Sequence, residues 1–162
     1  MAYVSIPWPK EKTALYKLLR QRLVALTDGV KHPVANLANA SALLWDALPQ
    51  INWVGFYLLE GETLVLGPFQ GKPACIRIPV GRGVCGTAAQ SREIQLVRDV
   101  HLFPGQIACD AASNSEIVIP LLKDGEVLGV LDIDSPLVGR FDEADREGLA
   151  ALCGILIAGC DW

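Results

Sequence analysis

The segment from Glu116 to Asp134 constrains the fold of this chain more than any other, because it folds two apolar, branched-chain strands back around Lys123-Asp124-Gly125. A turn this tight forces an antiparallel pair, since parallel strands need a long crossover. A three-residue loop with Gly125 in the left-handed position is expected. It pairs Leu122 with Glu126, Ile119 with Gly129 and Glu116 with Asp132, and directly opposed residues share a face. One face is then Ile117, Ile119, Leu121, Val127, Gly129, Leu131 and Ile133, wholly apolar. The other carries Glu116, Asp132 and Asp134 at one end, with Val118, Leu128 and Val130 further along. A two-residue loop would separate Glu116 from the two aspartates and mix the faces.

Leu15, Leu18, Leu19, Leu23 and Leu26 recur at helical spacing between Thr13 and Thr27, and a second helix is expected from Pro33 to Ala47. Strand signals follow at Asn52–Leu59, Thr63–Leu66 and Cys75–Val80, then a short helix at Gly83–Gln90 and a short strand at Ile94–Val97. A last helix runs from Asp142, its cap, to about Ala158. Residues 99–114 are irregular, and a loop that long inside a compact domain is more often functional than decorative. The order predicts an α+β fold: a central antiparallel sheet of about six strands, with the N- and C-terminal helices on one face and a ligand pocket on the other. Residues 1–12 read as an N-terminal extension and 13–162 as one domain.

With 51% apolar and 20% charged residues, a packed core is ensured. The net charge of -4 is mild and the basic residues are dispersed, so neither nucleic acid nor a membrane surface is an expected partner. The N-terminus lacks the pattern of a signal peptide, and the apolar run Gly148–Cys160 is too short to cross a bilayer. A cytoplasmic location is expected. Five cysteines there suit catalysis, metal binding or packing better than a structural disulfide framework.

Three acids on one patch repel one another, so a cation neutralises them or at least one keeps its proton. The plainer alternative is a strand end facing solvent. Trp53, Gly55 and Tyr57 alternate onto one face of their strand, leaving a slot with flat walls that is either ordinary core or a seat for a methyl or thioether. Cys109 lies in the polar loop, where a thiol gains little from packing. With Cys75 and Cys85 available it fits a nucleophile with resolving thiols. Zinc held by Cys75, Cys85, Cys109 and His101 is a weaker alternative, because no close ligand spacing is present. Gly81-Arg-Gly-Val-Cys-Gly86 matches a dinucleotide fingerprint, but the helix after it is too short and the acid that should follow is misplaced.

With these residues in view, the chain closely resembles the free methionine-(R)-sulfoxide reductases, enzymes built on the GAF fold. The likeness is densest in residues 51–59, 64–75, 76–88, 99–121 and 129–135. It implies that Cys109 attacks the sulfoxide sulfur, with Cys75 as the main resolving thiol and Cys85 as an auxiliary. It implies further that Glu116, Asp132 and Asp134 hold the amino group and polarise or protonate the sulfoxide oxygen, and that Trp53 and Tyr57 flank the methyl. No cofactor is implied; thioredoxin or another dithiol supplies the electrons, and many members pair as homodimers. Two rivals remain, a small-molecule-sensing GAF module and a thiol redox sensor without turnover. The first normally sits beside an output domain, and the second has no need of the acids.

Overall fold

The computed structural model describes residues 3–162. Helix α1 (Lys12–Thr27) is capped by Glu11, whose carboxylate accepts from the backbone of Thr13 and Ala14. Helix α2 (Pro33–Ala47) begins on a proline, where the missing N–H costs nothing. Strands β1 (Trp53–Glu60), β2 (Thr63–Gly71) and β3 (Arg77–Pro79) follow, then α3 (Gly83–Ser91) and β4 (Gln95–Val97). Strands β5 (Ser115–Lys123) and β6 (Glu126–Ser135) and helix α4 (Glu143–Gly159) complete the chain. The six strands lie in the order β3-β2-β1-β6-β5-β4, every pair antiparallel. The expected α+β arrangement is present.

The β5–β6 turn differs from expectation. Lys123 pairs with Glu126, so the loop has two residues, Asp124 and Gly125. Both have positive φ (51° and 80°), the primed turn that an Asp-Gly pair favours. A two-residue loop alone would put the acids on opposite faces. The register shifts instead between Leu121 and Leu122, where Val127 pairs with Leu122 and Gly129 with Leu121, leaving Leu128 as the extra residue of a bulge. The bulge restores the alternation, and Glu116 ends opposite Asp134 rather than Asp132.

Two smaller differences have the same kind of origin. Strand β2 runs past the expected Leu66 through Gly67 and Pro68, because β2 itself bulges there, these two residues opposing Phe56 alone, and the proline is not asked to donate. Strand β3 is shorter than Cys75–Val80, so Cys75 lies in the connection ahead of it.

The sheet separates two apolar clusters. On one side α1, α2 and α4 pack over Val54, Phe56, Ile117, Ile119, Leu121, Leu131 and Ile133. On the other, the smaller α3 covers Tyr57, Leu64, Ile78, Val118 and Val130. Asp145 anchors α4 to α1 from a buried position, accepting from Tyr16 Oη at 2.8 Å and Lys12 Nζ at 2.6 Å while closing a capping box with Asp142. Ahead of α1, Tyr3 and Trp8 both donate to Asp46, and the Arg22 guanidinium lies over their rings. No helix is long and apolar enough to cross a membrane among the described residues.

Candidate active site

The β1–β6 register brings the expected aromatic and acidic faces together. Trp53 lies opposite Asp134, Gly55 opposite Asp132 and Tyr57 opposite Val130. Side chains from three adjacent strands therefore converge on the face away from the long helices. They line one open cavity together with Cys85 from α3 and Cys109 from the loop before β5.

Gly55 is required by this packing, since a Cβ there would sit 2.7 Å from the Trp53 ring and strike the backbone of Phe69. Trp53 stacks on Phe69 at 5.3 Å and on Tyr57 at 5.9 Å. A methyl between two ring faces needs roughly 7 Å, two carbon contact distances. The expected slot between Trp53 and Tyr57 is therefore closed, and the two rings form one continuous wall. Their polar tips also hold the neighbouring segment: Trp53 Nε1 donates to the Lys72 carbonyl at 3.1 Å and Tyr57 Oη to the Cys75 carbonyl at 2.9 Å.

That segment is tied to the Cys109 loop by a Cys75–Cys109 disulfide, with the Cα atoms 5.7 Å apart. Cys75 is half-buried and Cys109 is exposed. Cys85 is a buried free thiol whose Sγ lies 3.9 Å from Glu116 Oε1. His101, weighed beside these cysteines as a metal ligand, instead meets the Asn114 side chain at 2.9 Å on the surface. Gly81 and Gly86 close the β3–α3 junction, Gly81 N donating to Gly86 O at 2.8 Å, which accounts for that glycine pattern without a nucleotide.

Burial and mutual repulsion dominate the electrostatics. Glu116 is pushed well above the usual carboxylate range by burial and then by Asp132 and Asp134. Asp134 is raised by burial and by Asp132. Asp132 is raised to about 6, by burial alone, with hydrogen bonds from Glu116 and Cys85 opposing the shift. Burial and the adjacent acids likewise push the Cys85 thiol well up. Asp132 Oδ1 is buried with no hydrogen-bond partner among the described residues. Such an atom is costly unless a donor reaches it. Glu116 and Asp132 therefore do not face open solvent and Asp134 is half-buried, so the plainer reading of a strand end facing solvent fails.

Sequence reasoning passed over several pocket neighbours. Asn52 donates to Ser113 Oγ at 3.1 Å and to Asp110 Oδ2 at 3.3 Å, while Lys72 lies 3.7 Å from that same oxygen. These contacts pin the base of the loop carrying Cys109. The turn-forming run Asp-Ala-Ala-Ser after Cys109 was the available signal. Lys72 and Arg82 are also among the residues lining the cavity.

The GAF domain family matches residues 20–158. The free methionine-R-sulfoxide reductase of Escherichia coli is 59% identical over 87% of this chain and 86% of its own length. The chain belongs to the free methionine-R-sulfoxide reductase family of GAF-domain proteins. The reduced fRMsr structure of Staphylococcus aureus is 56% identical, with a TM-score of 0.87 over 89% of this chain and 94% of that one. The free methionine-R-sulfoxide reductase of Neisseria meningitidis, solved in complex with its substrate, is 43% identical, with a TM-score of 0.92 over 96% and 94%.

Proposed function

We propose that this protein reduces free L-methionine-(R)-S-oxide to L-methionine with Cys109 as the nucleophile. The observation that carries this reading is a disulfide-forming cysteine on the same cavity as the buried Glu116 and Asp132, the half-buried Asp134 and an aromatic wall. The names of the relatives support the substrate.

In this mechanism the α-ammonium supplies the donors that Asp132 and Asp134 need. A residue inside a polypeptide lacks that ammonium, which is a physical reason for choosing the free amino acid. The S-methyl rests against Trp53 and Tyr57. A sulfoxide oxygen departs only once protonated, and Glu116, held neutral by burial and by its neighbours' charge, is suited to give the proton.

The Cys109 thiolate attacks the sulfoxide sulfur as Glu116 protonates the oxygen. The hydroxyl then passes from that sulfur to Cys109 Sγ, the S–O and S–S bonds to methionine break, methionine leaves with its sulfur reduced, and Cys109 carries the sulfenic acid. The Cys75 thiol then condenses with it, forming the disulfide and releasing water. A dithiol, thioredoxin by family resemblance, reduces the disulfide through a mixed disulfide. Cys85 serves as an auxiliary resolving thiol. Its raised pKa makes it a slow one, because the thiolate is the reacting form. The protein acts in the cytoplasm as a homodimer, with residues 13–162 as its one domain.

The decisive experiment supplies racemic free methionine sulfoxide and dithiothreitol and follows the two epimers separately. Loss of the R epimer alone, abolished in Cys109→Ser, is the expected result. Turnover by that variant would remove the nucleophile assignment.

A further inference from the structure

Cys85 is the pocket thiol left outside the disulfide, and two carboxylates converge on it. One ligand atom each from Cys85, Glu116 and Asp132 lies within 4.8 Å of the other two. Tetrahedral zinc, with bonds of about 2.0–2.3 Å, holds such atoms roughly 3.5 Å apart, so a small inward movement of flexible side chains closes the set. Asp132 is only 6% exposed, and its Oδ1 lacks any partner among the described residues. An ammonium can satisfy that oxygen but gains little from a thiol. A borderline-soft dication uses all three atoms. Magnesium and calcium are poorly served, because both require six or more oxygens.

We propose that the pocket is also an inhibitory Zn²⁺ site, formed by Cys85 Sγ, Glu116 and Asp132, with its fourth position open to the cavity. Zinc bound there takes the carboxylates that recognise the substrate ammonium and screens Cys109 from its target. That occupancy inhibits rests on the reductase reading above; that the ion binds does not.

The disulfide form isolates the site, since Cys75 and Cys109 are then blocked and Cys153 and Cys160 lie buried on the far side of the sheet. Titrating this form with Co²⁺ should give one equivalent bound, with a sulfur-to-cobalt charge-transfer band that Zn²⁺ abolishes. Cys85→Ser should remove the band and weaken Zn²⁺ by more than about 100-fold, beyond the 10–100-fold that loss of an outer-shell partner brings. Glu116→Gln should weaken binding while keeping the band, which covers the case in which the cysteine variant does not fold. Cys160→Ser should change neither. A missing band, or Zn²⁺ affinity unchanged in Cys85→Ser, overturns the proposal. Calorimetry of free methionine against the same form, with and without one equivalent of Zn²⁺, should show at least about tenfold weaker binding when zinc is present; equal binding overturns the inhibitory role. Methionine that fails to bind even without zinc counts against the reductase reading and leaves the metal site standing.

Discussion

Asp132 is the residue whose protonation decides whether the pocket can hold a cation. Ionised carboxylates attract an ammonium, so the ligand favours the deprotonated pocket. Affinity is then greatest above the Asp132 pKa of about 6 and falls as pH drops through it. Binding of free methionine to the disulfide form, followed by calorimetry between pH 5 and 8, should weaken by up to about tenfold per pH unit below 6. The disulfide form is chosen because Cys109 does not titrate there. N-acetylmethionine, which lacks the ammonium, should bind at least about 30-fold more weakly at pH 7, losing roughly 2 kcal/mol or more of charge-assisted hydrogen bonding. Equal affinity for the two would mean the acids do not recognise the amino group. Asp132→Asn should flatten the pH profile and also weaken binding, and this pairing distinguishes recognition from a general loss of structure.

At the scale of elements, the packing of α4 on α1 gives a case where two effects oppose. Gly148 sits mid-helix, where alanine is favoured by roughly 1 kcal/mol on propensity alone. An added Cβ would overlap the Tyr16 ring, including its stem. That ring cannot swing aside, because its hydroxyl is held by Asp145 at 2.8 Å. Overpacking of this kind costs about 1–3 kcal/mol, so strain outweighs propensity. Gly148→Ala should lower Tm by several degrees in calorimetry; a rise would mean that α4 relaxes freely. The β5–β6 hairpin shows how far elements can be read from residues. The apolar partition of Ile117, Ile119 and Leu121 against Glu116, Asp132 and Asp134 was plain, because burial enforces a period of two. The turn was misjudged, because a two-residue turn plus a bulge at Leu128 gives the same faces as a three-residue loop. Sequence alternation reports parity, and parity is blind to compensating shifts.

Across the whole molecule, the helices and the sheet were legible because their periodicity answers to the two apolar clusters that the sheet separates. Pairing by loops was not. Nothing local in Asn52, Lys72 or Asp110 tells that they meet at the base of the Cys109 segment. Nor does the alternation of β1 alone tell that Trp53 and Tyr57 stack on each other, or that Phe69 from the neighbouring strand stacks on Trp53. Cys75 and Cys109 were singled out as chemically active, while their partnership followed from family resemblance and is present as a disulfide in the structure. Leu149, fully buried beneath the long helices, tests the division of labour between the two faces. Leu149→Ala should lose about 2–5 kcal/mol in denaturant unfolding. KM for the sulfoxide should stay unchanged at temperatures where the variant is folded. The sheet between the two clusters works as a bulkhead. A lineage could remodel the pocket side for a different small molecule while the other hull plating keeps the vessel afloat, and that freedom fits one architecture serving both reductases and sensors.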